Sequence, residues 1–291
     1  MAGEPMSNEI VKVFVGCDPN NSDLEQMMVL DHSIKKHTSM AVEIVWMQLS
    51  RDPDSFWYSN PEKGEGWDTR KWATPFSGFR WAIPEYCDFK GRAIYMDADM
   101  VVLSDLKELW NHPIQGEGVV AAKTKDAIAR LCTCVWDCQK SQKVLTPVSQ
   151  LKADPEGHNK LMKQFKEHPE LITPYIDSYN CIDGEDLDIE DIKILHYSDM
   201  GTQFSHKYSI PRLEKEEGRH WFDGAIMPHP RQELSDLFDT YYNEAIAAVY
   251  NLEDYRVEPF GVIPKKSHKR YKGNKITRPI KSGFLSKLFN R

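Results

Sequence analysis

Two aspartates separated by one small residue, Asp97-Ala98-Asp99, directly follow an apolar run at residues 93–96. A run of that length is typical of a buried strand, although periodicity alone does not distinguish it from a buried helix. In an extended chain, side chains two positions apart lie on the same side, so both carboxylates could bind one ion. Mg²⁺ and Mn²⁺ take oxygen ligands and are commonly shared between carboxylates and substrate phosphates. The pattern predicts a metal site that receives a diphosphate; the alternative is a polar strand end followed by a turn.

A histidine after a later apolar run supplies a third candidate ligand. His196 follows residues 192–195, which predict a strand, and Gly201 lies shortly after it. Imidazole is a common ligand of divalent metals in proteins. We therefore expect His196 to bind the same ion as Asp97 and Asp99; the alternative is a structural histidine.

The elements that must position these residues begin with a strand–helix–strand unit. Residues 10–16 and 42–49 predict strands, and residues 23–37 between them predict a helix with one apolar side. Such a unit predicts a parallel pair of strands with a right-handed crossover. In open sheets of this kind, ligands lie outside the carboxyl ends of the strands. Asp18 occupies one such end, where its carboxylate either contacts a nucleobase or ribose or caps the helix, and both interpretations stay open.

A long polar segment, residues 51–74, separates this unit from the Asp-x-Asp strand. It contains Trp57, Trp67 and Trp72, and a loop of this length in a compact domain is usually functional or mobile. We expect it to act as a lid whose tryptophans close over a bound sugar. Beyond it, the sequence predicts a helix over 75–83, a short helix over 106–110, strands over 119–122 and 131–136, and helices over 157–168 and 231–250.

The composition is that of a globular protein with unevenly distributed charge. Hydrophobic residues make up 41% and charged residues 28% of the 291 residues, which suits one large domain with short extensions. Residues 264–291 hold ten of the 37 Lys and Arg and none of the 44 Asp and Glu, which leaves 27 basic and 44 acidic side chains in residues 1–263. An acidic body argues against nucleic-acid binding, and we expect none.

We expect three parts, namely a flexible N-terminus at 1–9, one domain at 10–263 and a basic amphipathic tail at 264–291, called the basic tail below. Four apolar side chains of the tail share one face of a predicted short helix, with basic residues around it: Phe284, Leu285, Leu288 and Phe289. This pattern is typical of a surface anchor, so we expect residues 265–291 to bind an anionic membrane surface. The alternatives are a disordered solubilising tail and docking onto the acidic body.

The N-terminus and the cysteines indicate the compartment. Residues 1–9 are polar, without the apolar core of a secretory signal, and no apolar run approaches the roughly 18 residues of a membrane span. We therefore expect a cytoplasmic protein, peripheral on the membrane through its tail, with reduced cysteines. Cys132, Cys134 and Cys138 are closely spaced but lack the second Cys or His pair of a structural zinc site, so we do not favour one.

Two blocks of sequence resemble a known family. Residues 93–110, from the apolar strand through the Asp-x-Asp pair to Asp-Leu-Lys-Glu-Leu-Trp, resemble the donor-metal block of the family-8 retaining glycosyltransferases, the group containing glycogenin and bacterial lipopolysaccharide galactosyltransferases. Residues 194–203 resemble that family's later histidine block, and the likeness covers residues 10–210. The resemblance implies an α/β protein with a GT-A fold, which is a Rossmann-like, mainly parallel central sheet flanked by helices. It also implies a nucleotide-sugar donor, usually UDP-linked, and Mn²⁺ or Mg²⁺.

The resemblance implies roles for particular positions. It implies metal ligands at Asp97, Asp99 and His196, donor contacts at Asp18, Arg80, Asp97, Ala98 and Gln203, and, on the acceptor side, Asn180.

The sequence departs from the family at two places. The family's histidine block usually continues to Lys-Pro-Trp, with the lysine on the diphosphate, whereas this chain has Thr202-Gln203-Phe204. Lys207 is the nearby residue that could substitute for that lysine. The Gly-Asp-Gln block that glycogenin-like members place beside the reacting sugar is absent from the sequence, so the catalytic residue is unassigned and retention follows from the resemblance alone.

Two alternatives to a glycosyltransferase stay open from the sequence. Residues 97–101 fit the Asp-x-Asp-x-Val nucleophile motif of haloacid-dehalogenase-type phosphatases, although that class places the motif near the start of the chain. A non-catalytic sugar-nucleotide-binding protein of the same fold is the other alternative, because fold does not fix function. The function we expect is metal-dependent transfer of a hexose from a nucleotide-sugar donor, UDP-linked and with retention, to a glycan or lipid-linked acceptor.

Overall fold

The computed structural model describes residues 9–125, 128–218, 220, 222 and 224–263. The basic tail, and all of the predicted flexible N-terminus except Glu9, lie outside the described residues. The described residues form eleven strands and eight α-helices. None of these helices combines the length and the apolar character needed to cross a membrane.

The elements follow the predicted order along the chain. The strands are β1 (Val11–Gly16), β2 (Val42–Met47), β3 (Ser59–Asn60), β4 (Glu65–Gly66), β5 (Arg92–Asp97), β6 (Met100–Val102), β7 (Val120–Lys125), β8 (Ile128–Asp137), β9 (Ile172–Pro174), β10 (Cys181–Ile182) and β11 (Ile194–His196). The helices are α1 (Leu24–His37), α2 (Ile83–Tyr86), α3 (Leu106–Trp110), α4 (Cys138–Ser141), α5 (Val148–Ala153), α6 (Gly157–Glu167), α7 (His206–Lys215) and α8 (Gln232–Ala247).

A six-stranded sheet with the order β2-β1-β5-β8-β7-β9 forms the centre of the protein. β1 pairs in parallel with both β2 and β5, and β7 pairs in parallel with β9. β8 is antiparallel to both of its neighbours, so the other five strands share one direction. This mostly parallel sheet, flanked by helices, confirms the predicted α/β fold class. The register places Gly16 of β1 beside Asp97 of β5, so the segments that follow these strands begin at the same edge.

The crossover helix α1 is buried along most of its length. Glu25 lies in its first turn and Lys35, Lys36 and His37 lie in its last turn, which places charges where they favour the helix dipole. The helix contacts both α8 and the short strand β6, and it buries polar as well as apolar side chains. α1 therefore brings polar groups, among them Gln26, into the interior of the protein.

A small second sheet, with the order β10-β11-β6, turns the Asp-x-Asp pair toward the histidine. The chain leaves the central sheet at Asp97, passes through Ala98 and Asp99, and enters β6 at Met100. Because β6 and β11 are antiparallel, Met100 pairs with His196, the last residue of β11. The amide of Tyr197 also donates to the carbonyl of Asp99, with an N···O distance of 2.9 Å. The two sheets thus fix the positions of the predicted ligands.

The segment predicted as a lid is part of the core. Trp57, Trp67 and Trp72 are only 7%, 2% and 6% exposed, and their rings lie 4.7 to 5.4 Å from the ring of Phe79, measured between centroids. The segment also contains the β3–β4 hairpin. The predicted role of these tryptophans in closing over a sugar is therefore wrong. Each indole buries on the order of 150–250 Å² of surface, which stabilises the core more than an exposed lid position would allow.

The helix predicted over residues 75–83 begins later than expected. A 3₁₀ turn spans Phe79–Ala82, and α2 follows it. Gly78 precedes this turn, and a Cβ atom added there would lie 2.4 Å from the indole of Trp72. The tryptophan thus packs directly against the backbone at Gly78.

Candidate metal and donor site

Asp97, Asp99 and His196 come together at the carboxyl end of β5. The Nε2 atom of His196 lies 3.2 Å from Oδ1 of Asp99 and 3.9 Å from Oδ2 of Asp97. The side chains of Asp97, Asp99 and His196 are 18%, 15% and 6% exposed, respectively, so they are largely shielded from water. The structure therefore brings together the three ligands predicted from the sequence.

The spacing of these atoms suits a divalent ion. An octahedral ion with ligands at about 2.0–2.1 Å holds neighbouring ligand atoms about 3 Å apart, close to the shorter of the two distances. Oδ1 of Asp99 is buried and has no well-formed hydrogen bond among the described residues. Nε2 of His196 lies 3.2 Å from this oxygen, and a cation bound by both atoms would satisfy the two of them. The donor set of two carboxylates and one imidazole therefore fits Mn²⁺ or Mg²⁺.

Arg80 and Tyr95 both bind the Oδ1 atom of Asp97. Nη2 of Arg80 donates to Oδ1 of Asp97 at 3.3 Å and to the Tyr95 hydroxyl at 3.1 Å, and that hydroxyl also donates to Oδ1 of Asp97. Nε of Arg80 donates to the carbonyl of Ser77 at 2.9 Å, and Nη1 donates to the carbonyl of Leu131. The observed contact of Arg80 is thus with Asp97, a predicted metal ligand, and its predicted contact with a donor stays a prediction.

Burial and neighbouring charges shift the pKa values of Arg80, Asp97 and His196. Burial alone would lower the pKa of Arg80, but its buried neighbours Tyr95 and Asp97 raise it, so the guanidinium stays charged. Burial raises the pKa of Asp97, and the charge of Arg80 opposes that rise. Burial would also lower the pKa of His196, but the Asp99 carboxylate raises it well above its ordinary value. A metal ion and a proton therefore compete for His196.

Gln203 holds Asp99. Its Nε2 donates to Oδ2 of Asp99 at 2.6 Å and to the carbonyl of Tyr197 at 2.9 Å. Both partners can only accept, so the amide must present its NH₂ group to them. The Oε1 atom of Gln203 in turn accepts from Nε2 of Gln26 on α1 at 2.8 Å. Gln203 is 4% exposed. Its observed contact is with Asp99, a predicted metal ligand, and its predicted contact with a donor stays a prediction.

Asn180 holds His196. Its Oδ1 lies 3.2 Å from Nδ1 of His196, and because a side-chain carbonyl can only accept, Nδ1 is the protonated nitrogen. That assignment leaves Nε2 as the atom that can bind a metal. Asn180 is fully buried, and its backbone carbonyl accepts from Nζ of the buried Lys123 at 3.0 Å. The predicted acceptor-side role of Asn180 stays a prediction, and its contact in the structure is with His196, a predicted metal ligand.

Asp18 and Ala98 lie at the same edge of the sheet. Oδ2 of Asp18 accepts from the amides of Asn20 and Ser22, at 2.8 and 3.1 Å, and the side chain is 1% exposed. This carboxylate therefore orders the turn that leads into α1, and its predicted contact with a base or ribose stays a prediction. Ala98, between the two aspartates, is 3% exposed, and its predicted contact with a donor stays a prediction.

Lys207 does not replace the family's lysine in this structure. It lies on α7, its side chain is 55% exposed, and it pairs with Asp239 on α8. The stretch that corresponds to the family's Lys-Pro-Trp, Thr202-Gln203-Phe204, contains no lysine, and the amide of Gln203 contacts Asp99.

Cys132 is the site residue that sequence reasoning missed. One ligand atom each from Asp97, Cys132 and His196 lie within 4.8 Å of one another. Cys132 reaches the site because β8 is antiparallel to β5 and pairs Thr133 with Met96, next to Asp97. The antiparallel pairing of β8, had it been predicted, would have pointed to this residue. Cys134 and Cys138, which share its sequence motif, are buried in the core instead.

Part of the chain is similar in sequence to known proteins. Residues 25–168 match the sequence profile of Glycosyl transferase family 8. Protein CDI of Arabidopsis thaliana is 35% identical over 100 residues, which are 34% of this chain and 35% of that protein. The chain thus aligns with about a third of the length of this curated relative.

Two solved structures share the fold. The galactosyltransferase LgtC, in complex with donor and acceptor sugar analogues, has a TM-score of 0.52 at 10% identity, covering 80% of this chain and 96% of that chain. The glycosyltransferase GlyE of Streptococcus pneumoniae TIGR4 has a TM-score of 0.51 at 15% identity, covering 82% of this chain and 64% of that chain. Similarity at these identities concerns the fold alone.

Proposed function

The chain is a family-8-like glycosyltransferase with a GT-A fold, and from this premise we propose that it transfers a hexose from a nucleotide-sugar donor to a glycan or lipid-linked acceptor in a metal-dependent reaction. We propose that the donor is UDP-linked and that transfer retains the anomeric configuration, both by analogy with the family. The convergence of Asp97, Asp99 and His196 at the carboxyl end of β5 is the observation that supports metal dependence.

The residues of this chain would act on the donor through charge and position. Asp97, Asp99 and His196 would hold Mn²⁺ or Mg²⁺, which when bound supplies a Lewis acid beside the leaving diphosphate. Arg80 balances part of the negative charge of the two carboxylates, so that the ion is not fully neutralised by its own ligands. Gln203 and Asn180 fix the orientation of Asp99 and His196 before the donor arrives.

The match to the family profile counts against the other functions considered from the sequence. The Asp-x-Asp pair follows the third strand along the chain to join the central sheet, inside the region that matches the glycosyltransferase profile. A phosphatase of the haloacid-dehalogenase type and a non-catalytic binding protein are therefore set aside.

We also propose where the protein works. The absence of acidic residues from the basic tail, beside an acidic body, suits a cytoplasmic enzyme that associates peripherally with anionic membranes. A lipid-linked acceptor would then be held at the same surface as the enzyme.

The test of metal-dependent donor binding is calorimetry with UDP, and with GDP beside it, in Mn²⁺ and again in EDTA. We expect UDP to bind wild-type protein only with the metal, and Asp99→Ala to lose that binding. Asp186→Ala, which removes an exposed carboxylate from the acidic segment before β11, is the matched control and should bind like wild type. Equal UDP binding in Mn²⁺ and EDTA, or by wild type and Asp99→Ala, would contradict the proposal.

A further inference from the structure

The metal site contains a thiol in addition to its oxygen and nitrogen donors. Cys132 extends from β8 toward Asp97 and His196, with the three ligand atoms within 4.8 Å of one another. Its thiol is free and half-buried. Asp97 and His196 are also the residues that, with Asp99, form the site for a hard divalent ion. Two overlapping sets of ligands therefore share one aspartate and one histidine.

We propose that Asp97, Cys132 and His196 form a second coordination set that binds a zinc-class cation and excludes the Mn²⁺ or Mg²⁺ ion of the transferase. This inference rests on the proposed function in that both sets use the same aspartate and histidine. Sulfur ligands select zinc-class ions, whereas a carboxylate in the same place selects harder ions. The side chain that completes the site, Asp99 or Cys132, thus decides which metal is bound.

The geometry of the shared residues suits both sets. Oδ1 of Asp97 is occupied by Arg80 and Tyr95, so Oδ2 is the oxygen left for a metal. Nδ1 of His196 is occupied by Asn180, so Nε2 is the nitrogen left for a metal. These anchors hold the two shared atoms on the same side of the site whichever third ligand is used.

The distances suit zinc after a small adjustment. Tetrahedral Zn²⁺ binds sulfur at about 2.3 Å and nitrogen or oxygen at about 2.0–2.2 Å, which places its ligands about 3.5 Å apart. Because the three ligand atoms all lie within 4.8 Å of one another, no pair has to close by more than about 1.3 Å, which side-chain rotation can supply. Three protein ligands leave a fourth position for water, as in other exchangeable zinc sites. The thiol proton of Cys132 passes to the solvent when the sulfur binds the ion.

The test uses Co²⁺ as a spectroscopic substitute for zinc, added to the full-length protein without nucleotide. A cobalt–thiolate bond gives a charge-transfer absorption in the near ultraviolet that oxygen and nitrogen ligands do not give. We expect this band in wild type, its loss in Cys132→Ser, and its displacement by added Zn²⁺. Cys87→Ser is the matched control, because Cys87 is also a half-buried free thiol but lies just after α2 and is not one of the three clustered groups. We expect Zn²⁺ to bind Cys132→Ser at least tenfold more weakly than it binds wild type and Cys87→Ser.

The outcomes separate this inference from the proposed function. A missing band in wild type, or an equal band in wild type and Cys132→Ser, overturns the inference, while Mn²⁺-dependent UDP binding by the same samples would leave the proposed function intact. A band that depends on Cys132, in protein that binds no nucleotide, would support the second coordination set and count against the donor site. Equal thermal unfolding midpoints of the two cysteine variants would exclude a folding defect as the cause.

Discussion

Replacement of Gln203 by alanine tests whether this residue holds Asp99 or contacts the donor. The variant removes the 2.6 Å hydrogen bond from Nε2 to the Asp99 carboxylate and leaves Gln26 without its acceptor on Gln203. A hydrogen bond to a charged group contributes about 1.5–3 kcal/mol. Because the Asp99 side chain is 15% exposed, water replaces part of that bond. We therefore expect the free energy of Mn²⁺ binding to weaken by about 1.5–2 kcal/mol, near the lower end of that range, which is roughly 10–30-fold weaker binding.

The assay is a calorimetric titration of UDP at a series of Mn²⁺ concentrations. If Gln203 positions Asp99, the Gln203→Ala midpoint for Mn²⁺ shifts upward, and saturating Mn²⁺ restores UDP affinity to within about threefold of wild type. If Gln203 contacts the donor instead, UDP affinity stays low at saturating Mn²⁺. An unchanged midpoint would refute the positioning argument. Gln150→Ala, an exposed glutamine on α5, is the control and should match wild type in both quantities.

Three further predictions concern stability and location. Burial lowers the pKa of His158 to about 3, and its Nδ1 accepts from the indole N–H of Trp81. Below about pH 6.5 the unfolded chain takes up a proton on this ring and the folded chain does not. Between pH 6.5 and 4.5, wild type should therefore lose about 2 kcal/mol more free energy of unfolding in urea titrations than His158→Asn, which keeps an acceptor. Equal losses would count against the buried neutral ring. Gly78→Ala should destabilise the fold by about 1–3 kcal/mol, because its Cβ would meet Trp72, whereas Gly184→Ala, with nothing within 4 Å, should be neutral; similar urea midpoints would show that the indole yields. In liposome co-sedimentation, the full-length protein should pellet with anionic vesicles and the form without the basic tail should not, while neither form should pellet with neutral vesicles. Equal pelleting of both forms with anionic vesicles would argue against an anchor.

The central sheet, and the clustering of Asp97, Asp99 and His196, could be predicted because their signals are local. Asp97 and Asp99 are two residues apart at the end of one apolar strand, and His196 ends another. Each residue can be recognised from its own segment of sequence, and the antiparallel pairing of β6 with β11 then brings His196 beside the two aspartates. The strand–helix–strand start of the chain is local in the same sense.

The residues that support the ligands could not be predicted because their contacts connect distant segments. Gln26 and Gln203 meet across 177 positions, and Arg80 reaches Leu131 across 51. Cys132 enters the site only because β8 runs against the direction of the other strands in the sheet. The polar composition of residues 51–74 suggested an exposed segment, but three large apolar rings decided its position. Polar residues between the tryptophans could remain in the hairpin and its turns, so the average composition of the segment was a poor guide.

The absence of a lysine from residues 202–204, where the family has one, would change how the charge of the proposed leaving group is balanced. Within the group formed by Asp97, Asp99 and Arg80, two carboxylates face one guanidinium. A divalent ion bound there would convert this group from a net negative to a net positive charge, which would attract a diphosphate. A lysine near the diphosphate would add a positive charge that does not depend on the metal, whereas Gln203 adds none and uses its amide to orient Asp99. Under the proposed function, the ion would carry a larger share of the attraction for the donor, and we expect donor binding to depend on metal more strictly than in relatives that keep the lysine.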